Sequence, residues 1–169
     1  FKPGTSISYL AEKLFNGLGI AISELEGNPT LPQDVRKALN SLSTTGTLEF
    51  NKLHPWGVPP TPCGEGDYTA RGVAYYSWSS VWKKSIFSST FSINPFDLPL
   101  SITSYLAFGH EDNDGLVGRC SSHLGKVIKD DYPMHHAQQI NQAFGLKPSN
   151  VNPVQLYRDH ANRLKTAGF

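Results

Sequence analysis

The chain has little of several features that would place it quickly in a functional class. Charged residues make up 17% of its 169 residues, below the usual quarter, and the formal net charge is only +1. It has no basic stripe, so the sequence predicts no nucleic-acid partner. Apolar stretches are interrupted too often for a membrane-spanning helix, so we predict no transmembrane segment. The length is sufficient for one domain with a sizeable core.

Cysteine is also scarce, since only Cys63 and Cys120 are present. Two cysteines are compatible with two free buried thiols, which behave as small apolar side chains. Both, however, lie beside polar turn residues, in the sequences Pro-Cys-Gly and Arg-Cys-Ser. That setting favours a single disulfide in an exported protein.

The serine-nucleophile motif G-x-S-x-G is missing, although other parts of a hydrolase site are suggested. The run 102–108 is apolar, β-branched and aromatic, which predicts a buried strand ending in a polar loop. A carboxylate after a strand, followed later by a histidine, is the acid–base half of an α/β-hydrolase triad. The candidate side chains are Glu111, Asp112, Asp114, His135 and His136.

Two other interpretations of the same loop stay open. His110, Asp112 and Asp114 alternate along the chain, and together with His136 they are candidates for a metal-binding module. Such spacing is not specific for zinc, and no CxxC, HExxH or EF-hand signature accompanies it. The segment 112–115 is equally typical of a turn whose side chains bond to their own backbone.

Most of the regular spacing of apolar residues in the sequence is that of helices. Residues 6–26 have the apolar spacing of an amphipathic helix, and a short second helix begins after the capping signal at Thr30. Further helical segments are predicted at 47–53, at 134–144 and from Asn152 to about Lys165.

Strand candidates are fewer. Residues 68–77 predict a strand pair with a tight turn at Arg71-Gly72, and 102–108 predicts a buried strand. The sequence thus offers about three strand candidates and five helices. This is too few strands for a complete sheet protein, and it is the number expected for half of such a protein.

Several stretches carry a resemblance to a known family: NDGLVGRCSSHLGKVI, DDYPMHH with INQAFGL, LYRDHANRLK, CGEGDY, YYSWS, and FKPGTS with its amphipathic helix. Together they resemble the C-terminal half of secreted bacterial triacylglycerol lipases of the Pseudomonas and Burkholderia type, over nearly the whole chain. The resemblance implies the α/β class and one domain over 1–169. This would be the C-terminal portion of an α/β-hydrolase fold, with lid helix, small β-hairpin, last sheet strands and C-terminal helices, incomplete without its N-terminal half.

The resemblance also implies roles for individual residues. Asp114 corresponds to the triad acid and His136 to the triad base, while Cys63 and Cys120 correspond to the family disulfide. The helix at 6–26 corresponds to the lid that covers the site in water. The nucleophilic serine and the oxyanion hole belong to the missing N-terminal half, and the chemistry requires no cofactor.

The implied partners are acylglycerols at an oil–water interface, the N-terminal half of the lipase and, in many members, a lipase-specific foldase. Export through the periplasm to the extracellular medium is implied as well. An alternative is that the chain alone is a catalytically inactive fragment or an interfacial-binding module that needs a complementing chain.

One departure from the family concerns calcium. The family holds a structural calcium near the catalytic histidine with two Asp side chains and backbone carbonyls. The matching positions here are Asn94 and Gln138 for the side chains, and Gln142 and Leu146 for the carbonyls. Calcium is a hard cation whose affinity rises with the number of carboxylates, so two neutral amides should weaken the site severely. We hypothesise that the histidine loop is held without calcium, by direct amide hydrogen bonds.

Overall fold

The computed structural model describes residues 34–83, 94–142, 145–147 and 150–169, together with the isolated positions Lys13, Asn16, Gly17, Gly19 and Gly27. The chain divides into two compact units, Phe1–Pro55 and Trp56–Phe169. Four described positions within the predicted lid helix 6–26 are helical, but most of that segment lies outside the described residues. The lid and the single-domain organisation therefore stay predictions.

The first unit contains two short helices, α1 (Val35–Ser41) and α2 (Thr44–Leu53). The Asp34 carboxylate caps α1 by accepting the backbone N–H of Lys37 at 3.0 Å, and the Ser43 hydroxyl caps α2. The short helix predicted after Thr30 is confirmed by α1, and the helical segment predicted at 47–53 is confirmed by α2, which contains it. The predicted capping signal at Thr30 lies outside the described residues.

The second unit contains the described strands. β1 (Thr69–Ala70) and β2 (Val73–Ala74) form the predicted antiparallel hairpin. Arg71 and Gly72 form its turn with φ values of 54° and 76°, the left-handed conformations that a tight hairpin turn requires.

A second two-stranded sheet consists of β3 (Tyr76–Ser80) and β4 (Lys126–Tyr132), which run parallel. β4 was not among the predicted strands. Its signal is a short run containing Val127 and Ile128 between Gly125 and Pro133, too brief for periodicity to identify. Parallel strands need a crossover connection, and α3 (Asp97–Thr103) lies within it.

The predicted strand at 102–108 is wrong. Residues 102–103 complete α3, and Ser104–Phe108 continue it as a π-helical turn. Short apolar runs do not distinguish strand from helix, whereas Asp97 and Pro99 in the preceding turn are helix-start signals that the strand prediction overlooked. The polar loop with Asp114 therefore follows a helix.

The last part of the second unit is helical. A 3₁₀ turn spans Arg119–Ser122, α4 spans only His136–Gln139, and α5 spans Pro153–Thr166. The prediction of α5 is confirmed, with Asn152 as its cap. The predicted helix 134–144 is too long: the chain leaves the helix after Gln139, and Asn141 has a φ of 56°. Residues 143–144 lie outside the described part.

The predicted disulfide joins Cys63 and Cys120, whose Cα atoms are 4.5 Å apart. Nearby, the His123 Nδ1–H donates to the Gly64 carbonyl at 3.0 Å. Together, helices and two small sheets are compatible with the α/β class. No helix within the described ranges combines the length and apolarity needed to cross a membrane.

The buried side chains are mostly polar. Among the described residues, four apolar side chains are buried (Val81, Leu100, Met134 and Pro153), against twelve polar or charged ones. Because buried polar groups need hydrogen-bond partners, this region is organised by directional bonds rather than by an apolar core.

Gly115, directly after Asp114, provides a test of this packing. Its φ is 102°, and a Cβ there would lie 2.9 Å from Leu100 Cβ. Gly72, in the hairpin turn, is the control, because its φ is 76° and a Cβ would have no neighbour within 4 Å. Gly72→Ala should cost about 1 kcal/mol from backbone strain alone, and Gly115→Ala about 2–4 kcal/mol with the added clash. Urea unfolding measures both, and equal losses would contradict the packing described here.

Candidate active site

Asp114 lies in a tight turn that uses its own side chains as backbone partners. Asn113 Oδ1 accepts the Gly115 N–H at 2.8 Å. Asp114 Oδ1 accepts the N–H groups of Leu116 and Val117 at 3.0 and 2.8 Å. The predicted turn at 112–115 is therefore present, and it leaves Oδ2 of Asp114 for contacts outside the turn.

Asp114 Oδ2 contacts the residue predicted as its partner. His136 Nδ1 lies 2.9 Å from it, and the His136 backbone N–H donates to the Asp114 carbonyl at 2.8 Å. The Asp114 side chain is 5% exposed, whereas that of His136 is 44% exposed. The acid is therefore buried, while the imidazole is partly open to solvent.

Gln139 is a further partner that sequence reasoning missed. Its Nε2 donates to Asp114 Oδ2 at 2.6 Å, so the carboxylate oxygen is shared between His136 and Gln139. The available signal is the spacing of three residues, which places Gln139 beside His136 on one side of a helical turn.

The carboxylate determines both the tautomer and the basicity of His136. The carboxylate oxygen accepts a hydrogen bond from Nδ1–H, so the proton stays on Nδ1 and Nε2 is the basic nitrogen. The Asp114 hydrogen bond raises the pKa of His136 above its usual value, and burial opposes this only in part. A buried carboxylate that orients a half-exposed imidazole is the acid–base arrangement of serine hydrolases.

The adjacent His135 has the opposite environment. Its side chain is fully buried, Nδ1 accepts the Gln138 backbone N–H at 3.3 Å, and Nε2 lies 3.3 Å from Asp97 Oδ1. The Trp82 ring packs edge-on against it, with centroids 5.3 Å apart. Burial lowers the pKa of His135 to about 4, although the Asp97 carboxylate pulls it upward. His135 is therefore neutral at physiological pH.

The other loop candidates do not join this pair. Asp112 forms ion pairs with Arg119 and Lys83 instead, at 3.5 and 3.4 Å, and it is 38% exposed. His110 and Glu111 are exposed. Among the described residues, which include His110, Asp112, Asp114 and His136, no group of three or more His, Cys, Asp or Glu side chains could hold a metal ion.

The residues matching the family calcium site also have other partners. Asn94 Nδ2 lies 2.9 Å from His135 Nε2. Gln138 Nε2 donates to the Leu146 carbonyl at 3.3 Å, and Gln142 donates its backbone N–H to Ala137. These positions contain no side-chain carboxylate, and an N–H already points at one of the carbonyl oxygens. Both amide oxygens already accept backbone N–H groups, Asn94 Oδ1 from Phe96 and Gln138 Oε1 from His135. A donor set without carboxylates, and with its amide oxygens bonded to N–H groups, does not fit a calcium ion.

Comparison with known proteins shows what the chain as a whole is similar to. No family model matches the chain. The chain is 45% identical to a Vibrio cholerae protein named triacylglycerol lipase, with 99% of this chain and 52% of that protein covered. It is 39% identical to a Pseudomonas fragi triacylglycerol lipase (100% and 58% covered) and 32% identical to one from Burkholderia plantarii (80% and 45% covered).

The chain thus spans about half the length of the curated relatives it matches. These relatives confirm the predicted resemblance to bacterial triacylglycerol lipases of the Pseudomonas and Burkholderia type. Over its whole length, the chain is homologous to one part of such proteins.

The two neighbouring histidines should titrate on opposite sides of the ordinary value of 6.5. We expect NMR titration of the imidazole C–H signals to give a pKa above 6.5 for His136 and one of about 4 for His135. Asp114→Asn should lower the pKa of His136, because the hydrogen bond to a charged acceptor is lost. Coincident titration of both rings in the unsubstituted protein would contradict the geometry described above.

Proposed function

We propose that this chain supplies the acid and the base of a triacylglycerol lipase that hydrolyses the carboxylic ester bonds of acylglycerols. The hydrogen bond of 2.9 Å between His136 Nδ1 and the buried Asp114 Oδ2 is the observation that carries the proposal. Support also comes from the whole-chain similarity to proteins named triacylglycerol lipase.

In the proposed mechanism, Asp114 accepts the Nδ1–H of His136 throughout the reaction. His136 Nε2 removes the proton of a serine hydroxyl in the other part of the protein as that oxygen bonds to the ester carbonyl carbon. The ester C–O bond then breaks, and His136 returns the proton to the leaving alkoxide. In the second half of the reaction, His136 Nε2 removes a proton from water as the water oxygen attacks the acyl-enzyme carbonyl. The bond to the serine oxygen then breaks, His136 returns the proton to that oxygen, and the fatty acid is released.

We further propose that the chain is the C-terminal portion of one α/β-hydrolase domain, with 6–26 as its lid. Two features of the described residues support an incomplete domain. A parallel sheet of two strands is unusual alone, because parallel sheets are normally larger and covered on both faces. Only four described apolar side chains are buried, too few for an independent core.

We propose that the whole protein binds its acylglycerol substrates at an oil–water interface. The disulfide is compatible with secretion through the oxidising periplasm. A lipase-specific foldase is a proposed partner during that export. The isolated 169-residue chain would be catalytically silent, because the serine and oxyanion hole come from the complementing part.

A carboxylate substitution in the full-length protein that carries this chain tests the acid. Asp114→Asn should lower kcat by about three to four orders of magnitude, because Nδ1–H loses its charged acceptor. Asp112→Asn is the matched control, since Asp112 pairs with Arg119 and Lys83, and it should retain normal turnover. Ester hydrolysis under a pH-stat measures both variants. Normal turnover of the Asp114 variant would mean that the acid is elsewhere.

A serine-directed fluorophosphonate tests the base, because the probe reacts only with an activated serine. Labelling of the full-length protein should be strong and should fall sharply in His136→Ala. The isolated chain should remain unlabelled. Stoichiometric labelling of a serine within these 169 residues would contradict the proposed division of the triad.

A further inference from the structure

We propose that a buried side-chain network centred on His135 and Gln138 replaces the family's calcium ion in holding the turn that carries His136. The inference rests on the proposed function, because it concerns how the proposed base is positioned. His135 and Gln138 are then positioning residues, which act through the backbone of α4. The disagreement between the family's metal site and the donor set of this chain is the starting observation.

The first part of the network is a reciprocal cap on α4. The His135 backbone N–H donates to Gln138 Oε1 at 3.0 Å, and the Gln138 backbone N–H donates to His135 Nδ1 at 3.3 Å. His136 is the residue between these two bonds, at the first position of the helix. Because α4 has a single turn, little else in the helix itself would fix the direction of His136.

The second part ties this turn to neighbouring segments. Gln138 Nε2 donates to the Leu146 carbonyl at 3.3 Å, so the amide uses its oxygen within α4 and its nitrogen outside it. His135 Nε2 lies 3.3 Å from Asp97 Oδ1, in the first turn of α3. A calcium ion would connect the same segments through their oxygens.

The same helix α3 also supports the acid. Thr103 Oγ1, at its C-terminal end, donates to the Gly115 carbonyl at 2.5 Å, directly beside Asp114. One helix therefore anchors His135 near its start and the Asp114 loop at its end. A shift of α4 relative to α3 would change the separation of His136 from Asp114.

The network excludes calcium by both geometry and charge. Gln138 Oε1 and Asn94 Oδ1 already accept the backbone N–H groups of His135 and Phe96, and both are neutral amide oxygens in place of carboxylates. His135 and Gln138 are 0% and 7% exposed, so solvent does not easily disrupt their bonds. The Asp97 carboxylate lies against His135 and has a role without a metal.

The decisive experiment restores the missing carboxylates in the full-length protein that carries this chain. We compare the unsubstituted protein with Asn94→Asp/Gln138→Asp, in excess chelator and in excess calcium chloride, by thermal melting and isothermal titration calorimetry. The unsubstituted protein should melt at the same temperature in both solutions and bind no calcium at this site. The double variant should melt lower in chelator and regain several degrees with stoichiometric calcium.

A second comparison separates positioning from mere folding. Gln138→Leu removes both amide bonds, and it should lower kcat by up to about a hundredfold with little change in KM, since His136 is displaced by a fraction of an ångström. Gln155→Leu, on the exposed side of α5, is the matched control and should behave as the unsubstituted protein. If Gln138→Leu does not fold, the calcium comparison still decides the question.

The outcomes are distinguishable from failure of the proposed function. A melting temperature or ester hydrolysis of the unsubstituted protein that falls in chelator and returns with calcium would overturn the inference. So would a double variant that does not respond to calcium. If no ester hydrolysis is found but the melting pattern holds, the lipase proposal fails while the metal-free network stands.

Discussion

The buried carboxylate of Asp114 is the feature on which the rest of the described site depends. Burying a carboxylate is costly unless its oxygens are hydrogen-bonded, and four donors satisfy this one. Two are backbone N–H groups of its own turn, and two are side chains of α4, from His136 and Gln139. The bonds that stabilise the buried carboxylate therefore also bring α4 to the turn, and folding and site assembly are coupled.

The local part of this arrangement could be predicted from the sequence, and the long-range part could not. The hairpin at Arg71-Gly72 and the helix beginning after Asn152 follow from turn and capping chemistry within a few residues. β4 depends on pairing with β3, about 50 residues earlier, and its own sequence is too short to show the periodicity of a strand. The strand prediction at 102–108 was wrong because composition was given more weight than the helix start at Asp97 and Pro99.

The pairing of Asp114 with His136 is also a long-range contact that local sequence does not predict. The two residues are separated by 22 positions, four other acidic or histidine residues lie between them, and three more lie at positions 110–112. Residue chemistry alone did not distinguish Asp114 from Asp112 or His136 from His135. Only the family resemblance selected Asp114 as the acid and His136 as the base. The ion pairs of Asp112 with Arg119 and Lys83 now give a physical reason why it does not contact His136.

His135 and His136 are identical side chains at adjacent positions, and their environments give them opposite properties. At the start of a helical turn, consecutive side chains point in different directions, so one ring faces α3 and the other faces the Asp114 loop. Burial outweighs the pull of the Asp97 carboxylate and keeps His135 neutral, so its hydrogen bonds stay the same over the physiological pH range. A carboxylate at 2.9 Å makes His136 more basic while nearly half of its surface remains open. The buried ring is therefore suited to structure and the open ring to proton transfer, and Gln138, which caps the turn between them, couples the two.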